Sequence, residues 1–137
     1  MTKPRWSLAL LLAVPLLLTG CVGAVDNFSG VPDHVSGEPG GSEDAGLQAF
    51  WLKEGAQIAI TVFGSSSCPQ IVSDITVLEP KGEGNTIRAN FVPIPADKPC
   101  TRDFVPHTTV FSTPGNITTT EKLTIESSAG KIALPIK

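Results

Sequence analysis

Apolar and polar residues alternate along short stretches from residue 47 to the end of the chain. Ile58, Ile60 and Val62, for example, share one side of an extended strand, because successive strand side chains point to opposite faces. Seven such stretches, rich in Ile, Val and Thr, are Gln48–Leu52, Ala56–Phe63, Ile71–Glu79, Thr86–Val92, Thr108–Ser112, Lys122–Ser127 and Lys131–Ile136. Short strands separated by turn residues at near-regular spacing predict an all-β domain, a seven-stranded antiparallel sandwich over residues 47–137.

Two irregular loops interrupt this pattern, at 64–69 and at 93–106. The second is rich in Pro, and a connection of this length is either functional or a compact structural loop. Cys68 lies in the first loop and Cys100 in the second. Immunoglobulin-type domains instead place their two cysteines on strands of the two sheets. The sequence therefore predicts only a loosely immunoglobulin-like layout.

The amino terminus has the pattern of an export signal, with Lys3 and Arg5 before an apolar run at 8–18. A helix of about 11 residues is about 16 Å long, which is too short for a hydrocarbon core of about 30 Å. The run ends in a motif that resembles the processing box of bacterial lipoproteins, Leu18-Thr19-Gly20-Cys21. A plain secretory signal and a signal anchor are the alternatives.

The lipoprotein resemblance implies cleavage after residue 20 and a thioether-linked diacylglyceryl group, with palmitate-type chains, on Cys21. Two acyl chains are enough for stable anchoring. We therefore expect residues 1–20 to be a signal peptide. We also expect the mature chain to be lipid-anchored at the extracytoplasmic face of the cell membrane, with the membrane as its partner.

The cysteine count agrees with this assignment. The chain has three cysteines, and an odd cysteine in an exported protein needs an explanation. If Cys21 carries lipid, Cys68 and Cys100 remain as a pair in a compartment that permits disulfides. Closing this loop is worth about 3.5 to 4 kcal/mol in the chain-entropy model. We predict a Cys68–Cys100 disulfide between the two loops.

Residues 21–46 predict a lipidated cysteine followed by a disordered acidic linker. Gly, Pro, Ser and acids dominate this segment, and all five of its charged residues are negative. Such a composition buries too little apolar surface to offset the entropy of ordering. We expect a spacer between the anchor and the domain, with His34 and Phe28 exposed to solvent.

Three short motifs in the domain resemble a pattern of small, uncharacterised lipoproteins of Gram-positive bacteria: Trp51-Leu52, Gly64-Ser65-Ser66-Ser67-Cys68-Pro69 and Cys100-Thr101-Arg102-Asp103. The resemblance covers most of residues 47–113 and implies no activity. The chain has ten basic and thirteen acidic residues. Two of the basic residues precede residue 21 and five of the acidic ones lie in 21–46, which leaves eight of each in the domain. The domain is therefore neutral, and no basic face for nucleic acid is evident.

Enzymatic and metal sites are the less favoured interpretations. A serine hydrolase would use one of Ser65–Ser67 with His107 and Asp103, but Cys68 stands where the Gly-x-Ser-x-Gly elbow needs its second glycine. A copper or zinc site at Cys68, Cys100 and His107 would require thiols that the disulfide consumes. Asp97 and Asp103 each have a basic neighbour, so surface pairing is the simpler account. We expect no catalytic residue, no metal and no cofactor.

The sequence therefore favours a non-enzymatic binding module displayed on the membrane. Its partner is an unknown envelope protein, wall polymer or small ligand, recognised through the disulfide-linked loops. The candidate binding residues are Asp97, Arg102, Asp103 and His107. The alternatives are an accessory subunit of a cell-envelope complex and, less favoured, a serine-dependent hydrolase.

Overall fold

The computed structural model describes residues 20–137, so the predicted signal peptide up to Thr19 lies outside the described residues. The described chain forms nine strands and one 3-10 turn, Lys53–Gly55. The strands are β1 Cys21–Ser29, β2 Gly40–Ser42, β3 Leu47–Leu52, β4 Gln57–Gly64, β5 Val72–Glu79, β6 Thr86–Phe91, β7 Val105–Ser112, β8 Leu123–Ser127 and β9 Gly130–Leu134. Within residues 20–137, no helix is long and apolar enough to cross a membrane.

The strands form one sheet in the order β2-β3-β4-β7-β1-β5-β6-β8-β9. All pairs are antiparallel except β6 with β8. β1 joins the two halves, because residues 21–23 pair with β5 and residues 24–29 pair with β7. The first and last strands of the order, β2 and β9, contact each other, so the sheet is nearly closed.

The main core lies between the two halves of this sheet. Ile58, Ile60 and Val62 of β4 point inward and are almost fully buried, as their alternation predicts. Trp51 on β3 is also buried, and its indole Nε1 donates a hydrogen bond to the Pro135 carbonyl at 2.8 Å. This bond ties the carboxyl-terminal segment to β3, beside the point where the sheet closes.

Closure of the sheet depends on a glycine in β2. A Cβ atom at Gly40 would lie 2.6 Å from the Ala133 carbonyl oxygen and 2.7 Å from the Leu134 Cα. Real Cβ atoms essentially never come so close to backbone atoms. Gly40 therefore lets β2 approach the backbone of β9, so that the two edge strands contact each other.

The all-β class and the disulfide are confirmed, and each of the seven predicted runs forms a strand, β3 to β9. The seven-stranded, loosely immunoglobulin-like sandwich is not confirmed, because β1 and β2 bring the count to nine in one nearly closed sheet. β1 has no apolar–polar alternation by which it could be predicted, because seven of its nine residues are exposed. β2 has only the residues Gly40–Ser42 and no apolar side chain.

The segment 21–46, predicted to be a disordered linker, is structured instead. β1 and β2 lie in this segment, and the residues between them run alongside β3. There the Ser36 amide donates a hydrogen bond to the Trp51 carbonyl at 2.7 Å, and the Glu54 amide donates one to Ser36 Oγ at 3.1 Å. Long-range pairing supplies the stability that the composition of this segment lacks. No spacer therefore separates Cys21 from the folded domain.

Candidate functional site

The disulfide lies at the end of the sheet where β4 ends and β7 begins. Cys68 and Cys100 are bonded, with their Cα atoms 5.5 Å apart. Cys68 is buried and Cys100 is exposed. The bond links the β4–β5 loop, residues 65–71, to the β6–β7 loop, residues 92–104. We call the surface formed by these two loops the disulfide end.

Hydrogen bonds also join the two loops directly. The Ser66 amide donates to Asp103 Oδ1 at 3.0 Å, and the Thr101 amide donates to Ser67 Oγ at 2.9 Å. The hydroxyls of Ser65 and Thr101 are 2.8 Å apart, and the Thr101 hydroxyl also donates to Asp103. The serine run therefore satisfies polar groups within a loop structure, as turn serines commonly do. These bonds hold the β4–β5 loop against the β6–β7 loop.

Asp103 remains ionised through these contacts. Hydrogen bonds from the Ser66 side chain, the Thr101 side chain and the Ser66 backbone lower the pKa of Asp103 from 3.8 to about 2. A carboxyl with so low a pKa is a poor proton donor near neutral pH. The hydrogen bonds that the Asp103 carboxylate accepts from Ser66 and Thr101 indicate a role in ordering the two loops.

His107 lies on β7 directly opposite Val62 of β4 and Ser29 of β1. Since residues opposite each other share a face and Val62 is in the core, the imidazole points to the inner side of the sheet. Its Nε2 is buried and has no hydrogen-bond partner among the described residues. An unpaired buried polar atom of this kind costs about 1–3 kcal/mol. Burial also lowers the pKa of His107, so the ring is neutral at pH 7.

A cavity of about 350 Å³ opens beside His107 at the disulfide end. It lies among the ends of β1, β4 and β7 and the β4–β5 loop, which we call the serine loop because it begins with Ser65–Ser67. None of its lining side chains is an Asp, Glu, Lys or Arg. The lining residues are Ser29, Gly30, Val62, Gly64, Ser65, Ser66, Pro69, Gln70, Val105, Pro106 and His107. Its volume falls at the lower end of the range of ligand sites, about 300–1,000 Å³.

Apolar side chains are exposed around the same end. Phe104 is 55% exposed, and Val92, Ile94 and Val105 are exposed as well. The Phe104 ring stacks on Phe63 with ring centroids 5.4 Å apart, which fixes its orientation. We call Val92, Ile94, Phe104 and Val105 the apolar rim. Several exposed apolar residues at one end of a domain, unlike a single one, favour an interaction surface there.

Among the described residues, no hydrogen bond or ion pair joins the four predicted binding residues to one another. Asp97 and Arg102 are exposed on the β6–β7 loop, and no ion pair of either is found among the described residues. Asp103 bonds to the serine loop, whereas His107 lies near the start of β7 with its side chain on the inner face of the sheet. The apolar rim was not predicted from the sequence, although the apolar residues within the Pro-rich loop were a visible signal.

The arrangement of a serine hydrolase is not assembled. Asp103 bonds to Ser66 and Thr101, and no hydrogen bond joins a serine hydroxyl to His107 within residues 20–137. In the same residues, no group of three His, Cys, Asp or Glu side chains could hold a metal ion. These contacts give the serines a structural role.

Cys21 is the first residue of β1 and has an exposed free thiol. Its Sγ lies 3.4 Å from the Thr76 hydroxyl of β5. Asn90 donates hydrogen bonds to Thr76 and to Asp74 beside it, and the bonds from Asn90 and Ser73 lower the pKa of Asp74. Cys21 therefore projects from the outer face of the sheet among polar groups.

Comparison with protein families, with curated proteins and with solved structures found no match.

Proposed function

We propose that the protein is a lipid-anchored, extracytoplasmic binding module that presents the disulfide end to its partner. The observation that carries the proposal is the combination of a rigid end and an exposed apolar rim. The disulfide and the serine–Thr101–Asp103 bonds fix the loops. Preorganised loops lose little entropy on binding, which favours affinity.

The position of Cys21 supports the anchoring part of the proposal. β1 begins at Cys21, so cleavage before this residue would leave every strand intact. The strand then runs to Ser29, which pairs with His107 at the disulfide end. Eight residue steps of about 3.3 Å place the two ends of β1 roughly 26 Å apart. A lipid on Cys21 would hold the domain directly on the membrane while the disulfide end stays away from the attachment point.

Metabolic labelling with a palmitate analogue tests the anchor. We expect label on the wild-type protein and its recovery in the membrane fraction, and loss of both in Cys21→Ala. Cys68→Ala and Cys100→Ala serve as matched cysteine controls that keep the label. Label that survives in Cys21→Ala, or a soluble, unlabelled wild-type protein, would refute lipid attachment at this residue.

Alanine substitution of Ile94 and Phe104 tests the binding surface. We expect each variant to retain less partner than wild type when membranes are solubilised after cross-linking. Ile136→Ala is the matched control, because Ile136 is also an exposed apolar residue but lies near the carboxyl terminus. Equal recovery from all three variants would rule out the apolar rim as the contact surface.

A second candidate function, a subunit of a cell-envelope complex, is favoured by another apolar surface. The segment between β1 and β2 and the outer side of β3 border a cavity of about 500 Å³ whose lining includes Phe28, Val35 and Leu52. Val25, Val31 and Val35 are exposed close by. A stoichiometric complex that survives mild extraction and is lost in Val35→Asp, but not in Phe104→Ala, would favour this candidate.

A further inference from the structure

We propose that the cavity beside His107 binds an uncharged, hydroxyl-bearing ligand of about monosaccharide size. This inference rests on the proposed function, because it assigns a ligand class to a subsite at the disulfide end. Three observations carry it: the uncharged lining, the unpaired imidazole nitrogen and the fixed walls of the cavity.

The lining favours an uncharged ligand. No Asp, Glu, Lys or Arg side chain borders the cavity, and burying an uncompensated charge is strongly unfavourable. Asp103 of the β6–β7 loop, which bonds to the serine loop, already accepts hydrogen bonds from Ser66 and Thr101. The cavity thus offers no counter-charge for a cationic or anionic group.

The polar groups of the lining match hydroxyl groups. Serine hydroxyls, the Gln70 amide and the His107 imidazole each offer donors, acceptors or both. A ligand hydroxyl can donate and accept, so it fits either tautomer of the imidazole. The lining also includes Val62 and Pro106, whose apolar surface suits the C–H face of a sugar ring.

The unpaired nitrogen belongs to a ring that lines the cavity. Nearly all buried polar atoms of folded proteins have a partner, yet Nε2 of His107 has none among the described residues. A ligand that pairs with the imidazole, after a small rotation of the ring, would remove this deficit. Neighbouring bonds, such as that between the Thr108 hydroxyl and the Gly30 carbonyl at 2.6 Å, keep the surrounding backbone fixed.

The chain offers a direct spectroscopic test. It contains only two histidines, His34 and His107, so the imidazole nitrogen signals of the full-length protein can be assigned by one substitution. We would add glucose and N-acetylglucosamine at millimolar concentrations, with glucuronate and glucosamine as charged counterparts. The expected result is a saturable shift of the His107 signals with the neutral sugars, no shift of His34, and no saturable shift with the charged sugars.

A cavity-filling substitution provides the matched control. Gly64 lines the cavity, and a Cβ atom there would meet nothing within 4 Å. Gly115, outside the cavity, has equally open surroundings. We expect Gly64→Val to weaken sugar binding roughly tenfold or more, equivalent to about 1.4 kcal/mol, and Gly115→Val to leave it unchanged.

Several outcomes would overturn the inference. These are the absence of a saturable His107 shift, an equal response to the charged sugars, and a response that Gly64→Val leaves intact. A short oligomer of N-acetylglucosamine that binds more tightly than the monomer would identify a polymer, rather than free sugar, as the source of the ligand. If the sugars fail while Phe104→Ala still loses its partner, the cavity assignment is wrong and the proposed function stands.

Discussion

Replacing both Cys68 and Cys100 by alanine is expected to lower the free energy of unfolding by about 3.7 kcal/mol. The magnitude follows from the sequence separation of 32 residues, since cross-linking a loop of that length removes this much chain entropy from the unfolded state at 25 °C. The net stability of a domain this size is typically 5–15 kcal/mol. The disulfide would therefore supply a substantial share of it.

Urea unfolding, monitored by Trp fluorescence, measures the effect. With a denaturant slope of about 1–3 kcal/mol/M, the midpoint should fall by roughly 1–4 M. The serine–Thr101–Asp103 bonds remain in the variant, so we expect a folded protein with a more mobile disulfide end. Adding a reductant to wild type should reproduce the shift. A midpoint change below about 0.3 M would refute this account of the loop closure.

The remaining predictions concern single side chains. Acidification below pH 6.5 should destabilise the fold through His107. Because the pKa of His107 is lower in the folded state than in the unfolded chain, protonation favours the unfolded chain. His107→Gln should flatten this part of a stability–pH curve, whereas His34→Gln should not. Asp103 contributes stability above its ordinary pKa of 3.8, and this contribution should disappear between about pH 4 and pH 2. Urea unfolding of Asp103→Asn, which lacks that dependence, measures the difference. Gly40→Ala should cost about 1–3 kcal/mol through the clash with β9, while Gly115→Ala, with open space around its Cβ, should be nearly neutral in thermal unfolding.

Strands whose apolar residues alternate were predictable from the sequence alone. Ile58, Ile60 and Val62 identify β4 because these three residues enter the main core, although the residues between them are buried as well. β1 gave no such signal, since most of its side chains are exposed on both faces. Its place in the sheet depends on pairing with β5 and β7, which are distant in sequence. The prediction of disorder for residues 21–46 was based on composition alone. It was wrong because pairing with strands distant in sequence orders this segment.

The candidate site was predictable only in part. Counting cysteines located the disulfide, because it requires no knowledge of the fold. The cavity could not be predicted, since it depends on the register that sets His107 opposite Val62 and Ser29. Grouping His107 with Asp97 and Arg102 relied on closeness in sequence. His107 lies on β7 opposite the core residue Val62, whereas Asp97 and Arg102 are exposed on the β6–β7 loop.

Site-specific photo-cross-linking in intact cells tests the central claim most directly. A photoreactive residue would replace Ile94 on the apolar rim or, as a control, Ile136 near the carboxyl terminus, since both side chains are exposed. The account predicts one discrete cross-linked product from position 94 that is absent at position 136 and is diminished when Phe104 is also replaced by alanine. Identical products from both positions, or none from position 94, would contradict the claim that the disulfide end is the surface the protein presents to its partner.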